Sequence, residues 1–425
     1  MRQKLEYQAD RIETVLAVHK IAARVTGGTV TPRWVSFQVL PALGAKISRI
    51  KGLSEELAVA LDASSCRVSR RGAAVTVEVP RDDPRPVRLL PLYRQLVSGD
   101  TPSPPPPVTA ILGLADDGVP LLIRLPSPDV AHILVAGTTG SGKTVLMQAM
   151  ILSLALANPV PSALLDTRGG RASPGLGGTG LALVLIDPKG HAFGHFEGLP
   201  HLSRPVIRES TEAAEALNSL VRLMERRHPP PVAGASSSGT LTARPREGQT
   251  SQRAASHTHA ETWPGETDRE ARPWQWETWP VVVVIDELAD LLMTGGRPVQ
   301  RALTRLTQRG REVGIHVVAA TQKPTAAVLG PLIKANFPVR LVGRVTSIED
   351  ARTASGWSGT GAERLLGRGD FLAVAEGQVN RFQAAHVSPE EIRETVTCLA
   401  QGRTASSALV SRPRLPWPVR LLSSA

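Results

Sequence analysis

Short apolar runs alternate with longer segments of helical spacing from about residue 130 to residue 386. Helical stretches such as 143–157 and 211–227 lie between six runs that have the length and composition of buried strands. Strands that are apolar on both faces belong to sheets covered on both sides, so the pattern predicts an α/β fold with a mostly parallel sheet and helices on both faces. The six runs are HILVA (132–136), LALVLID (181–187), VVVVID (281–286), IHVVAAT (315–321), PVRLVGRV (338–345) and DFLAVA (370–375).

Residues 1–98 have a different pattern, which predicts a small α+β domain. TVTPRWVSFQVLP (29–41) and AAVTVEVP (73–80) alternate like half-buried strands, and LSEELAVALD (53–62) has helical spacing. The Pro-rich segment 99–109 that follows is a stiff linker by composition.

The main domain is predicted over residues 110–388, with a tail over 389–425. Two inserts interrupt it: a Gly-rich one at 166–180 and a low-complexity one at about 228–280, which we expect to be disordered for most of its length. The Trp residues of the second insert favour a few aromatic rings packed on the body over a binding box.

The charge balance points to a polyanionic partner. The 425-residue chain has 49 Lys and Arg against 38 Asp and Glu, a formal net charge of +11. Nucleic acid fits best. An anionic membrane surface stays open, and so does the plain alternative of a soluble protein from an Arg-rich proteome.

Cysteine usage and the amino terminus indicate a cytoplasmic protein. Two cysteines, Cys66 and Cys398, cannot build a disulfide framework or a metal cluster and suggest a reducing compartment. Residues 1–20 are charged throughout, unlike a signal peptide, and the most apolar segment is shorter than the ~20 residues that span a bilayer. We therefore expect no intrinsic membrane segment; an unidentified membrane-bound partner would have to bring the protein to a membrane.

A glycine-rich turn joins the predicted strand at 132–136 to the predicted helix at 143–157. It fits G-x-x-x-x-G-K-[ST], the phosphate-binding loop of nucleotide-binding proteins, and has the required strand before it and helix after it. Its backbone N–H groups would surround a phosphate of ATP, Lys143 would reach the β- and γ-phosphates, and Thr144 would ligate Mg²⁺. The loop consists of Gly137, Thr138, Thr139, Gly140, Ser141, Gly142, Lys143 and Thr144.

The strand VVVVI ends in Asp286 and Glu287, at the tip where α/β sheets present ligands. Asp286 suits the coordination sphere of Mg²⁺, and Glu287 suits a base that polarises the attacking water. An acidic helix N-cap is the structural alternative. The upstream phosphate-binding loop favours the catalytic interpretation.

Two further strand ends carry polar residues that face the same edge. Gln322 follows IHVVAAT and could sense the γ-phosphate, with a plain polar strand end as the alternative. Asp187 and Lys189 follow LALVLI, and their role stays open.

The basic helix within RALTRLTQRGREVGIHVV (301–318) could supply a cation in trans, as ring-shaped ATPases often require. Arg311 is the first choice for this finger and Arg309 the second. A solvated or DNA-facing helix surface is the alternative.

Taken in this order, the elements of 132–386 resemble the motor domain of the FtsK/SpoIIIE family of DNA translocases, and residues 25–98 resemble the α domain of that family. The motor resemblance rests on LVAGTTGSGKT, LVLIDPKG, GLPHL, LMERRH, VVVVIDELADLL, REVGIHVVAATQKP, LIKANFPVRLVGRV and ERLLGRGDFL.

The resemblance implies a RecA-like P-loop NTPase fold and a homohexameric ring around double-stranded DNA. It also implies ATP hydrolysis at subunit interfaces, with Arg311 supplied by the neighbouring subunit. DNA contacts would come from pore loops, for which the IKANFPVR region offers Lys334 and Arg340. Two departures from the family are expected from this sequence: no membrane-spanning region before the α-like domain, and a tail shorter than a winged-helix domain.

The main hypothesis is therefore an ATP-driven motor for double-stranded DNA in chromosome or plasmid segregation or transfer. A conjugative DNA pump and the ATPase of a protein-secretion system are the alternatives. A degenerate ring subunit that only binds DNA is disfavoured because Lys143, Asp286 and Glu287 are all present.

Overall fold

The computed structural model describes residues 2–71, 74–98, 105–160, 180–227, 278–322, 336–402 and 420–421. The helices are α1 (Arg2–Val18), α2 (Ile47–Gly52), α3 (Ser54–Ala60), α4 (Leu89–Ser98), α5 (Lys143–Ala157), α6 (Ser210–Arg227), α7 (Leu288–Arg309), α8 (Ile348–Ser355) and α9 (Pro389–Ala400). The strands are β1 (Ala23–Val30), β2 (Trp34–Pro41), β3 (Arg67–Arg71), β4 (Ala74–Pro80), β5 (Val87–Arg88), β6 (Thr109–Ala115), β7 (Pro120–Arg124), β8 (Ile133–Ala136), β9 (Ala182–Ile186), β10 (Val281–Ile285), β11 (Ile315–Thr321), β12 (Val339–Val342), β13 (Asp370–Ala375), β14 (Gln378–His386) and β15 (Arg420–Leu421).

The amino-terminal unit is an antiparallel sheet with its own core. Its strands lie in the order β1-β2-β4-β3, and alternate side chains of β2 and β4 point inward as the sequence pattern predicts. Ile12 and Leu16 of α1, Leu57 of α3, and Phe37 and Val77 of the sheet are buried together. The unit therefore has the helix-on-sheet packing of a small α+β fold.

The large sheet is mixed. Its strands lie in the order β15-β7-β6-β14-β13-β12-β8-β11-β10-β9. The five strands from β12 to β9 are parallel, whereas β12-β13, β13-β14, β14-β6 and β6-β7 are antiparallel pairs. The expectation of a mostly parallel sheet is thus not confirmed for the whole sheet: β13 and β14, like β6 and β7, are joined by short hairpins and must be antiparallel, and the pairs β12-β13 and β14-β6 are antiparallel as well.

Helices cover both faces of the parallel part. Ile133 and Val135 of β8 point into the core shared with α4, α5 and α9, while Leu134 points into the core shared with α6 and α7. A strand buried on both faces needs apolar residues at every position, which explains the uninterrupted runs in β8, β9 and β10.

The change from the small core to the large core lies between β4 and β5. Strand β5 pairs with β14, and α4 packs against α5, where the Tyr93 hydroxyl donates to the Leu156 carbonyl at 2.8 Å. Helix α4 is therefore part of the larger core by packing, and the division at residue 98 stays a prediction.

Several predicted segments lie wholly or largely outside the described residues. These are most of the linker 99–109, the Gly-rich insert at 166–180 and the insert at 228–280. The tail begins with α9, which a Ser388–Glu391 capping box starts and which packs on the larger core. Among the described residues, none of the helices combines the length and the apolar character that a membrane crossing requires.

Candidate nucleotide site

The predicted phosphate-binding loop joins β8 to α5, with Gly142 as the N-cap and Lys143 as the first helical residue. Gly142 has a φ of 102°, and a Cβ there would lie 2.7 Å from the Gly369 nitrogen. Only glycine fits this position, because the backbone is left-handed and a second backbone segment approaches closely. Gly142, Lys143 and Thr144 line the cleft in front of the loop, so the amino end of α5, where backbone N–H groups lack helical partners, faces this cleft.

The loop is held from behind by the segments around β12 and β13. The Thr138 nitrogen and hydroxyl both donate to the Arg344 carbonyl, at 2.8 and 3.0 Å. The Arg368 nitrogen donates to the Gly140 carbonyl at 2.9 Å, and the Gly369 nitrogen to the Ser141 carbonyl at 2.7 Å. These hydrogen bonds join segments far apart in the chain, so no local sequence pattern predicts them, although GRGDFL is one of the segments that resemble the family.

Lys143 is folded against its own loop. Its ammonium group donates to the carbonyls of Gly137 at 2.7 Å and Thr138 at 3.0 Å. Burial lowers the pKa of Lys143 to about 8, against the opposing effect of the Glu287 and Asp286 carboxylates. A phosphate at the loop would favour the charged form.

Asp286 and Thr144 lie side by side where β10 ends and α5 begins. The Thr144 hydroxyl and an Asp286 carboxylate oxygen are 3.4 Å apart. Burial and the negative charges of Asp187 and Glu287 raise the pKa of Asp286 to about 6. These two hard oxygen donors fit Mg²⁺, which keeps several water and phosphate ligands, and the described residues contain no group of three or more His, Cys, Asp or Glu that could hold a metal by themselves.

Glu287 is buried and faces the end of β11. Its two carboxylate oxygens accept from the backbone nitrogen of Gln322 at 3.2 and 3.1 Å. Glu287 is the N-cap residue of α7, yet its side chain makes no capping hydrogen bond. The helix-cap alternative therefore does not account for this carboxylate.

Gln322 links the phosphate-binding loop to Glu287 through hydrogen bonds to both. Its side-chain oxygen accepts from the Thr139 hydroxyl at 3.0 Å, and its backbone nitrogen binds Glu287. The fold thus brings Lys143, Thr144, Asp286, Glu287 and Gln322 to one edge of the sheet, as predicted from three separate strand ends.

Asp187 and Lys189 shape the neighbouring strand end. Asp187 is fully buried and accepts from the backbone nitrogens of Gly190, Ala192 and Phe193 at 2.8 to 3.0 Å. Lys189 forms an ion pair of 3.0 Å with Asp290 in the first turn of α7. Asp187 organises the turn after β9 and adds negative charge beside Asp286.

Arg311 lies far from this edge. It is exposed in the 3₁₀ turn Gly310–Val313, immediately before β11, whereas Gln322 follows the other end of that strand. Seven residues of β11 separate them, a rise of about 3.3 Å each and roughly 23 Å in all. Arg311 therefore is not part of the phosphate site of its own chain.

Arg340, predicted as a DNA contact, lies in the interior instead. It is 9% exposed in β12, and its guanidinium donates to the carbonyls of Thr353 at 3.3 Å and Ala354 at 3.5 Å, at the carboxyl end of α8. The prediction is corrected here, because these orphan carbonyls occupy the guanidinium. Lys334 lies outside the described residues.

A cleft of about 570 Å³ opens in front of the loop. Thr139, Lys143 and Asp286 line one part of it, and residues of the amino-terminal unit and of the segment before β5 line another. Nothing in the local sequence around Arg33 or Arg85 indicates a site, so the contribution of these residues to the cleft could not be predicted.

Comparison with known proteins gives two family matches. The model of the FtsK/SpoIIIE family matches residues 92–171 and 179–326, and the model of the FtsK α domain matches residues 1–81. The chain is 33% identical over 406 residues to a DNA translocase FtsK of Sporosarcina ureae, and 35% identical over 397 residues to that of Mycobacterium tuberculosis. These alignments cover 94% and 92% of this chain but 46% and 43% of the relatives, so the chain spans about half the length of the curated relatives it matches.

Two solved structures have a similar fold. The conjugation coupling protein TcpA of pCW3, in its monomer form with ATPγS, has a TM-score of 0.50 at 18% identity, over 93% of this chain and 99% of that one. The cytoplasmic domain of the Thermomonospora curvata type VII secretion ATPase EccC has a TM-score of 0.50 at 21% identity, over 73% of this chain and 34% of that one. The mixed sheet with its phosphate-binding loop is thus the fold of P-loop ATPases, and with the family matches the chain belongs to the FtsK/SpoIIIE family.

Proposed function

We propose that this chain hydrolyses ATP and uses the energy to move double-stranded DNA through a ring of six copies. The observation that carries the proposal is the convergence of Lys143, Thr144, Asp286, Glu287 and Gln322 at the ends of β8, β10 and β11, in a chain of this family. Its relatives carry the name DNA translocase, and the excess of Lys and Arg supports a polyanionic substrate.

The residues of the site divide the chemistry between them. Lys143 would exchange the carbonyls of Gly137 and Thr138 for phosphate oxygens, which compensate its buried charge better. Mg²⁺, held by Thr144 and Asp286, would supply charge neutralisation at the phosphates. Glu287 would orient the attacking water and accept its proton, with the nitrogen of Gln322 holding the carboxylate in place.

Arg311 would complete the site of a neighbouring subunit. The proposal follows from its exposure and from its position at the opposite end of β11. A guanidinium delivered across an interface would stabilise the charge that develops on the transferred phosphoryl group. This requirement supports the hexameric ring.

The predicted order of an amino-terminal α domain, a motor and a tail is kept within this proposal, with the start of the motor moved from residue 110 to the segment between β4 and β5. Strand β5 and helix α4 are assigned to the motor because they pack on its core. DNA would be held mainly through its phosphates, so binding would be weakly sequence-specific and steeply salt-dependent.

The test is ATP turnover with and without duplex DNA at low salt, together with displacement of a third strand from a triplex as the readout of movement. Wild-type protein is expected to be stimulated by DNA and to displace the strand, while Lys143→Ala binds DNA without turnover. No stimulation by DNA contradicts the translocase proposal. Stimulation by an unfolded polypeptide instead of DNA would favour a protein-secretion motor.

A further inference from the structure

We propose that the amino-terminal unit completes the nucleotide pocket, with Pro84, Arg85 and Pro86 forming the subsite for the base and ribose. This inference rests on the proposed function, since it takes the ligand to be a nucleoside triphosphate. The segment 84–86 lies between the regions matched by the two family models, which end at residue 81 and begin at residue 92.

The sheet topology gives the bound nucleotide a direction. The phosphate-binding loop follows β8, which lies between β11 on one side and β12 on the other. Glu287 and Gln322 belong to the β11 side, so the reacting γ-phosphate points there. The α-phosphate and nucleoside then extend toward the other side, where β13 and β14 lie.

That side of the cleft is closed by residues from both parts of the chain. Its lining includes Pro84, Arg85 and Pro86 from the segment between β4 and β5, and Gln383 and His386 from β14. At about 570 Å³ the cleft has the size of a small-molecule site. The two proline rings offer apolar faces for a planar base, and the Arg85 guanidinium can lie over such a base as a cation against a π system.

Segment 84–86 is held at a fixed position beside the loop. The Arg85 nitrogen donates to the Pro32 carbonyl at 2.9 Å, and Val87, immediately after the segment, pairs with Ala385 of β14. The Arg85 side chain is largely exposed, with Asp83 3.7 Å away. The segment is therefore fixed at its middle residue and at its carboxyl end, while the Arg85 guanidinium remains accessible to a ligand.

A second contact fixes the amino-terminal unit to the support of the loop. The Arg33 guanidinium donates to the carbonyl of Arg368 at 2.6 Å, that of Gly367 at 3.3 Å and the side-chain oxygen of Gln383 at 3.2 Å. Arg368 in turn donates its backbone nitrogen to the Gly140 carbonyl. The phosphate-binding loop and the nucleoside subsite thus share one continuous set of hydrogen bonds.

A buried charge cluster joins the two units beneath this contact. Arg381 of β14 donates to Asp370 at 2.7 and 2.8 Å and to Glu78 of β4 at 2.9 Å, and its guanidinium lies 4.1 Å from the ring centroid of Trp34. Such a cluster tolerates little displacement, since every partner is removed from water. The subsite is therefore preorganised.

The experiment compares ATPγS with inorganic tripolyphosphate, which has the phosphates but no nucleoside. Binding of each to the full chain with Mg²⁺ is measured by calorimetry for wild type, Arg85→Ala, the double variant Pro84→Ser/Pro86→Ser, and Lys143→Ala. Arg49→Ala, an exposed arginine of α2 outside the cleft, is the matched control.

We expect Arg85→Ala and the double proline variant to weaken ATPγS binding about tenfold while tripolyphosphate binding changes less than about twofold. Arg49→Ala is expected to change neither. Unchanged ATPγS binding in both subsite variants, or an equal loss for both ligands, overturns the inference.

Lys143→Ala separates the two proposals. If it abolishes binding of both ligands while the subsite variants bind normally, the nucleotide site stands and only the subsite fails. If it changes neither, the phosphate-binding loop is not the nucleotide site, and the proposed function fails together with the subsite. Thermal unfolding of each variant shows whether it is folded. If the double proline variant is unfolded, Arg85→Ala, which alters an exposed side chain, is used as the test.

Discussion

Both carboxylate oxygens of Glu287 accept from the backbone N–H of Gln322, at 3.2 and 3.1 Å. The candidate base is therefore attached to the carboxyl end of β11, and the amino end of the same strand is preceded by Arg311. Strand β11 thus links Glu287, which is proposed to act at the γ-phosphate of its own site, to Arg311, which is proposed to act in the site of the neighbouring subunit. Movement of this strand is a direct route for coupling between neighbours.

Replacing Glu287 by Gln is expected to separate ATP binding from hydrolysis. The amide can still accept from the Gln322 nitrogen but cannot take a proton from water, so turnover should fall about 100-fold or more with nucleotide binding retained. Single-turnover hydrolysis and calorimetric binding check this, with Glu349→Gln on exposed α8 as the control. Turnover close to that of wild type would exclude Glu287 as the base.

Gln322→Ala and Thr139→Val each remove the same 3.0 Å hydrogen bond. We expect each to lower kcat about 3- to 10-fold with little change in KM, because the bond positions groups that act at the γ-phosphate. The double variant should be no worse than either single variant, as a double-mutant cycle of ATPase rates would reveal. Additive losses would mean that the two residues act separately.

Asp286→Asn is expected to stabilise the nucleotide-free protein while abolishing hydrolysis. The pKa of Asp286 is raised from 3.8 to about 6, so the folded protein binds its proton more tightly than the unfolded chain does. This group therefore lowers the stability as the pH rises from about 4 to about 6, and the penalty persists above pH 6. The variant should gain about 1 to 3 kcal/mol at pH 7.5 and nothing below pH 4.

Urea unfolding of wild type and Asp286→Asn across this pH range measures the difference directly. Groups that do not interact with Asp286 titrate equally in both proteins, so the difference between the two curves reports Asp286 and its charged neighbours. A variant less stable than wild type at pH 7.5 would contradict the assigned cause.

Arg311→Ala is expected to lose hydrolysis as a pure protein and to regain part of it when mixed with Lys143→Ala. In a mixed ring, the intact loop of one variant meets the intact Arg311 of the other. ATPase titration of one variant into the other checks this, with Arg301→Ala, an exposed arginine of α7, as the matched control. Failure of every mixing ratio would count against a contribution in trans.

Arg381→Met should destabilise the protein by about 3 to 5 kcal/mol, because Asp370 and Glu78 stay buried without their shared cation. Burial raises the pKa of Glu78, so the loss should be smaller at acid pH, where this carboxylate is protonated more readily. Urea unfolding at pH 7.5 and pH 5 measures both effects. Arg393→Met, which breaks an exposed pair with Glu390, should leave the stability close to that of wild type.

Local spacing along the chain was sufficient to predict the phosphate-binding loop and the polar strand ends. The loop from Gly137 to Thr144, the acidic end of β10 and the polar end of β11 were predicted because a buried strand must be apolar throughout and parallel strands present their ends at one edge. The side chains at these strand ends lie close together as expected, because the carboxyl ends of parallel strands lie at the same edge of the sheet.

Contacts between segments that are distant in the chain could not be predicted in this way. Arg340 stands in the predicted strand 338–345, yet the contact of its guanidinium with the end of α8 follows from packing that no local pattern encodes. The pairing of β6 with β14 and the closure of the cleft by Arg33 and Pro84–Pro86 likewise bring together residues far apart in the chain. Such contacts are selected by the complementarity of whole surfaces, and so they become visible only when the chain is folded.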